Sequence, residues 1–246
     1  MKLLSIIVLF CDKDVQYLPN ILWDIQNRVK VSHEIILVDN RENDKSDLPE
    51  GNYKINSNGT NAYQFEGRRL GLDIAHGQYV WYVDADDSII NNIEEKDFRN
   101  IYQSDVIQFF YENSKGEINP QPGVVHSDNL ELFGMALWCR FIKTKFLKMI
   151  MRNIKRNIVF SGYEDRYLLR LITDNMRNVS FIDKVYYRYN FDTSVRFSGI
   201  FTQEKYDQLE IGIENLDYLS SFLKEPERFI KDINYSREYQ HSRIKE

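Results

Sequence analysis

The chain reads as an α/β protein: a mixed central sheet flanked by helices, with a C-terminal helical extension. Three observations carry that reading. Short apolar runs alternate with helical periodicity through the first half. Acidic residues stand where those runs end, at Asp12, Asp39 and the cluster Asp84, Asp86 and Asp87. Beyond residue 112 the spacing becomes mainly helical and closes in an amphipathic stretch.

Leu3 to Phe10 forms the first predicted strand. Its apolar run is too short to span a bilayer and lacks a small residue at a cleavage point, so a buried strand is expected rather than an export signal. Leu18, Ile21, Leu22, Ile25 and Val29 repeat at helical spacing. Glu34 to Val38 is the second strand, ending in Asp39, and a polar loop runs from Asn40 to Glu50. Tyr53 to Ile55 is a short third strand. Asn61 to His76 reads as a helix stopped by Gly77 in a left-handed conformation, and strands follow at Tyr79 to Val83 and Val106 to Tyr111.

Glu112 to Asp128, with Pro120, Pro122 and Gly123, is expected to be a loop, and Asn129 to Met151 mostly helix. Ser161 and Glu164 have capping-box spacing ahead of a helix from Asp165 to Asn175. Phe181 to Tyr189 is a strand. Tyr206, Leu209, Ile213, Leu216 and Leu223 mark a terminal amphipathic helix, with a polar tail after Pro226. The changes of pattern divide the chain into 1–111, 112–200 and 201–246.

A net charge of -5 gives no overall signal for nucleic acid, and none is expected as a partner. Only Cys11 and Cys139 occur, which points to a reducing, cytoplasmic setting. The chain has no Gly-x-Gly-x-x-Gly turn after its first strand and no Gly-Lys-Ser/Thr loop, which argues against dinucleotide and P-loop enzymes. The four histidines show no metal-ligand spacing.

In such a sheet the working residues lie beyond the carboxyl ends of the strands, which selects Cys11, Asp12, Asp39 and Asp84 to Asp87. Asp84 and Asp86 flank Ala85, and both carboxylates can converge on one hard cation, Mg²⁺ or Mn²⁺, with phosphate oxygens completing the shell. The opposing reading is an exposed acidic loop. Arg68 suits a phosphate or a neighbouring acid, Arg69 a surface ion pair, and Gly71 leaves room for a ligand. Glu164 serves as the reciprocal arm of the capping box, while Asp165 has no such duty and is a candidate general base. Trp138 is either a sugar platform or core. Seven Lys or Arg residues lie between Trp138 and Phe160, from Arg140 to Arg156, with no acid among them. They face either solvent or an anionic partner.

Four segments together resemble the family 2 glycosyltransferases: Ser5 to Asp12, Glu34 to Asp39, Arg68 to Asp87, and Gly162 to Asp165. That resemblance implies a GT-A fold and an inverting enzyme that uses a nucleotide-diphosphate sugar, with UDP-sugars the first expectation, and Mn²⁺ or Mg²⁺. It assigns Cys11 and Asp12 to the nucleotide loop, Asp39 to the nucleobase, and Asp84 to the ribose or the metal. Asp86 becomes the direct metal ligand, Arg68 and Arg188 the contacts to diphosphate, and Asp165 the base. It divides the fold into a nucleotide-sugar-binding half (1–111) and an acceptor-binding half (112–200). The acceptor would be a saccharide or lipid-linked saccharide, reached at the inner face of the membrane through Arg140 to Arg156. The chain departs from the family at Leu9-Phe10-Cys11-Asp12, where Pro-Thr-Tyr-Asn is common, at Arg69, where asparagine is usual, and at Asn40-Arg41, in place of Gly-Ser. Competing readings are a non-catalytic sugar- or nucleotide-sugar-binding protein and a D-x-D phosphatase or phosphotransferase.

Overall fold

The computed structural model describes residues 2–41, 48–51, 53–56, 62–99, 101–119, 136–190 and 202–244. Leu4–Phe10 (β1), His33–Asp39 (β2), Lys54–Asn56 (β3) and Tyr79–Asp84 (β4) pair in parallel, in the order β3-β2-β1-β4. The sheet continues through Arg140–Lys143 (β8), Val106–Asn113 (β6), Val179–Tyr189 (β9) and Ser88–Ile89 (β5), and Ile118–Asn119 (β7) pairs with β6. β8 is antiparallel to both β4 and β6, whereas β6 and β9 are parallel, so the sheet is mixed. β1 lies between β2 and β4, which puts a topological switch at the carboxyl ends of β1 and β4.

Both faces of the sheet are covered, which is why its strands read as continuous apolar runs rather than as alternations. In β1, Ile7 enters one core while Ile6 and Val8 enter the other. In β4, Val80 and Tyr82 oppose Tyr79, Trp81 and Val83 in the same way. Leu18–Arg28 (α1) covers the second face with Leu18, Ile21, Leu22 and Ile25. Tyr63–Asp73 (α2), Thr144–Met151 (α3) and Glu164–Asn175 (α4) cover the first face. The extension, Gln203–Glu210 (α5), Leu216–Ser220 (α6) and Pro226–Ser242 (α7), adds Leu209, Leu216, Leu219, Phe229 and Ile233 to that same core.

Several local expectations are overturned. Arg140–Lys143 is a strand rather than helix because Phe141 and Ile142 fill opposite cores; residues 129–135 lie outside the described part. The start of the expected loop forms a β6–β7 hairpin, and residues 120–128 are outside the description. The amphipathic stretch after Tyr206 is broken into α5, a short 3₁₀ turn and α6. The polar tail is α7, held by Phe229 and Ile233, one helical turn apart and both buried. Gly77 is not left-handed; its role is close contact, since a Cβ there would lie 2.5 Å from the Ser5 nitrogen. Gly71 likewise leaves no space for a ligand, because a Cβ would meet Ile7 Cγ2 at 2.4 Å. It seats α2 directly on the sheet. No helix among the described residues is long and apolar enough to cross a membrane.

The turn between α2 and β4 is fastened at the amino end of the sheet by Glu34. Its Oε1 accepts from Ser5 Oγ and from the His76 backbone N–H, both at 2.7 Å, and its Oε2 accepts from Lys54 Nζ at 2.7 Å. Burial raises this carboxyl's pKa, but Lys54, Ser5 and the His76 N–H outweigh it and bring the group down to about 2. A depressed folded pKa stabilises the protein above the unfolded value and loses that contribution as pH falls through the folded one. Glu34→Gln is therefore expected to be less stable than the parent at neutral pH. In urea titrations the gap should narrow as pH falls from 4.5 toward 2.

Candidate active site

Three elements converge on Arg68, near the middle of α2. Its Nη1 donates to Glu164 Oε1 at 2.7 Å, and its Nη2 lies 3.0 Å from Asp165 Oδ1 and 3.8 Å from Asp84 Oδ1. The guanidinium also stands 5.9 Å from the centre of the Tyr82 ring, and the Tyr82 hydroxyl donates to the Arg68 carbonyl. Burial pulls its pKa down, but Asp165, Glu164 and Asp84 together push it above the ordinary arginine value, so the charge is permanent. Arg68 is thus surrounded by the acids from which sequence reading could not separate a phosphate.

Glu164 and Asp165 open α4, where a carboxylate is favoured by the helix dipole. The expected capping box is absent: Ser161 Oγ donates to Gln64 Oε1, and Glu164 is turned inward to Arg68. Its side chain is buried and that of Asp165 is 29% exposed. The inner acid anchors the guanidinium, and the outer one reaches the surface of the site. Arg69, expected at the surface, is buried and donates to the Ile154 and Lys155 carbonyls, tying α2 to the end of α3.

The three acids after β4 separate by environment. The Asp84 side chain is 37% exposed and Asp86 is half-buried. Asp87 is buried, accepting from the Tyr187 hydroxyl at 2.7 Å and from the Asn190 backbone N–H at 2.8 Å. Burial first, and the neighbouring Asp84 next, raise its pKa. Asp84 and Asp86 are left as the pair a cation could use. Among the described residues no group of three His, Cys, Asp or Glu side chains is placed to hold a metal. Carboxylate oxygens such as those of Asp84 and Asp86 are the donor type that hard divalent ions take.

At the neighbouring strand ends, Asp39 is buried and gripped by Arg41. Oδ1 accepts from the Arg41 backbone N–H and Nε, and Oδ2 from Nη2, each at 3.0 Å. The Arg41 guanidinium lies 5.6 Å from the Phe10 ring centre. Cys11 precedes a 3₁₀ turn, Asp12–Tyr17, and its N–H donates to Asp14 Oδ2. Arg188 does not join Arg68: it pairs with Glu112 at 2.5 Å. Trp138 is core, stacked on Tyr187 and Tyr189 with ring centres 4.8 and 5.4 Å away. The basic run is split among separate duties. Arg140 is buried in β8, Lys148 donates to the Asp73 and Ala75 carbonyls, Arg156 pairs with Asp73, and Lys155 lies over Tyr218. Sequence reading missed Arg41, Tyr187 and Asn190. Arg41 had a local signal, two residues beyond Asp39, whereas Tyr187 and Asn190 lie more than a hundred residues beyond Asp84 and Asp86.

No protein-family model and no curated protein sequence matches the chain. Among solved structures it is similar to S. aureus TarS. For TarS 1-349 the TM-score is 0.64 at 20% identity, over 90% of this chain and 65% of that one. The same protein in complex with UDP gives 0.64 at 20% over 90% and 65%, and in complex with UDP-GlcNAc 0.65 at 21% over 90% and 66%. The chain thus spans slightly less than two thirds of those structures. The likeness establishes the fold, a GT-A-like mixed sheet between helices.

Removing one partner from a buried ion pair leaves the other charge stranded. Arg68→Met is therefore expected to cost about 3–5 kcal/mol, read from urea unfolding midpoints. Lys155→Met, at an exposed edge contact, should change stability by less than about 1 kcal/mol.

Proposed function

We propose that the chain is an inverting glycosyltransferase of family 2 type, moving a sugar from a nucleotide-diphosphate sugar to an acceptor hydroxyl. The observation that carries this reading is the span of Arg68, one guanidinium within ion-pair distance of Asp84 on the donor side and of Asp165 at the start of α4. Two acids of different elements are thereby fixed on one site, one suited to a donor's cation and the other to an acceptor's proton.

In this reading Asp84 and Asp86 hold Mn²⁺ or Mg²⁺ together with the donor diphosphate, Asp39 and Arg41 line the nucleobase end, and Cys11 and Asp12 border the nucleotide. The cation, when bound, supplies Lewis-acid stabilisation of the leaving nucleoside diphosphate. Asp165 takes the proton from the acceptor hydroxyl. The acceptor oxygen bonds to the anomeric carbon as that carbon's bond to the diphosphate oxygen breaks on the opposite face, which inverts the centre. Arg68 keeps the Asp165 carboxylate oriented, and Glu164 keeps Arg68 in place. That TarS is solved with UDP and with UDP-GlcNAc supports a UDP-sugar as the first donor to test. The acceptor is taken to be a saccharide or lipid-linked saccharide, and Lys145 and Arg152, two of the four exposed members of the basic run, are the candidates for peripheral contact with an anionic membrane.

The test is a screen of UDP-, GDP- and dTDP-sugars with Mn²⁺ or Mg²⁺ and a panel of saccharide acceptors. Asp165→Asn is expected to lower transfer about 10²–10⁴-fold, the range of a lost general base, while nucleotide binding persists. Asp86→Ala is expected to abolish metal-dependent binding of the nucleoside diphosphate. Unchanged turnover in Asp86→Ala would sink the metal assignment. Tight donor binding without turnover in the parent would favour the non-catalytic binding protein instead.

A further inference from the structure

The turn that bears Asp84 and Asp86 is built in large part by the end of β9, about a hundred residues downstream. The Asp84 N–H donates to the Tyr187 hydroxyl at 3.0 Å, and that hydroxyl donates to Asp87 Oδ2 at 2.7 Å. Asn190 completes the fastening: its backbone N–H donates to Asp87 Oδ1 at 2.8 Å. Its side-chain amide donates to the Asp86 carbonyl at 2.9 Å and to Ser88 Oγ at 3.2 Å. Asp84, Asp86, Asp87 and Ser88 are thus each bonded to the end of β9, and the residue between, Ala85, is buried. The side chains of Asp84 and Asp86 take no part in these bonds.

Tyr187 does not reach this place through a regular ladder. β6 and β9 pair as Phe109 with Ile182, then Phe110 with Val185, then Tyr111 with Tyr187, so the register slips at two successive steps. Such irregularities re-aim side chains and recur beside active sites. Here they turn Tyr187 into the core, where it is fully buried against Trp81 and Trp138, with ring centres 6.1 and 4.8 Å away. A ring held on two sides, with a hydroxyl that accepts one bond and donates another, has one position and one proton direction. Arg188, the next residue, is directed to Glu112.

We propose that Tyr187 is a positioning residue for the donor end of the site. Its hydroxyl fixes the shape of the Asp84–Asp87 turn so that the Asp84 and Asp86 carboxylates can share a divalent cation and a diphosphate. Asp87 then belongs to the brace rather than to the ligand set. This inference rests on the nucleotide-sugar reading above and assigns a task to a residue that touches neither substrate nor metal.

The experiment titrates the full chain with UDP in the presence of Mn²⁺, by calorimetry and by the electron-paramagnetic signal of free Mn²⁺, and repeats it with GDP and dTDP. Tyr187→Phe removes only the hydroxyl. It is expected to raise the Kd of the nucleoside diphosphate with Mn²⁺ about tenfold, the size of one lost hydrogen bond to a charged group. The acceptor KM should stay unchanged. Tyr186→Phe is the control, a neighbouring buried tyrosine whose ring packs on Phe109 at 5.3 Å, away from the turn. It is expected to leave that Kd unmoved. If Tyr187→Phe fails to fold, Asn190→Ala, which removes side-chain bonds to the turn without opening the core, should raise the Kd in the same sense. An equal Kd in wild type and Tyr187→Phe would overturn the brace. So would a Kd raised equally by Tyr186→Phe, since the effect would then be packing. A wild type that binds none of the three nucleoside diphosphates would fail the nucleotide-sugar reading itself, and the brace with it.

Discussion

The arrangement depends on one buried positive charge. Arg68 is the cation that allows Glu164 to be buried, and its pairs with Asp165 and Asp84 bring the first turn of α4 and the end of β4 to a common point. A lone buried carboxylate is costly, and a hydrogen-bonded ion pair removes most of that cost only when its geometry is held by its surroundings. The surroundings here are rigid: α2 is seated against β1 and β2 through Gly71, and Arg69 pins the same helix to the end of α3. The site is therefore carried on packed elements, which is where preorganised geometry is best kept.

Around that centre the molecule divides its acids into those that hold structure and those that face the site. All three of Glu34, Glu164 and Asp87 are buried: Glu34 accepts from Ser5, the His76 N–H and Lys54, Asp87 from Tyr187 and the Asn190 N–H, and Glu164 from Arg68. Asp84, Asp86 and Asp165 keep part of their surface open. The difference is one of partners and depth, because all six are ordinary carboxylates in the sequence. Asp39 stands between the classes, since Arg41 both neutralises it and places a planar guanidinium over Phe10 at the neighbouring strand end.

Much of the first half was legible because each element there satisfies a local rule. The runs at Leu3, Glu34 and Tyr79 are continuous apolar strands, and α1 repeats its apolar residues at helical spacing. Legibility failed where the deciding partner is distant. Arg140–Lys143 looked helical until both of its neighbours, β4 and β6, supplied a ladder. Ser161 and Glu164 carry the spacing of a capping box, yet Gln64 and Arg68 compete more strongly for their side chains. Glycines misled in the same way. Gly71 and Gly77 read as ligand space and a helix stop, whereas their missing Cβ atoms allow close contact with β1.

The sequence by itself determined the alternation of strands and helices, the D-x-D turn beyond β4, and the pairing of an arginine-bearing helix with that turn. Those are short-range facts, written in periodicity and in residue type. Only the tertiary structure decided which acid anchors and which faces the site, that Arg188 is spent on Glu112, and that Tyr187 and Asn190 brace the turn. The physical reason is that a side chain's role follows from depth and partners. Here the partners of Asp84, Asp86 and Asp87 come from β9, across a sheet whose register shifts no local pattern announces.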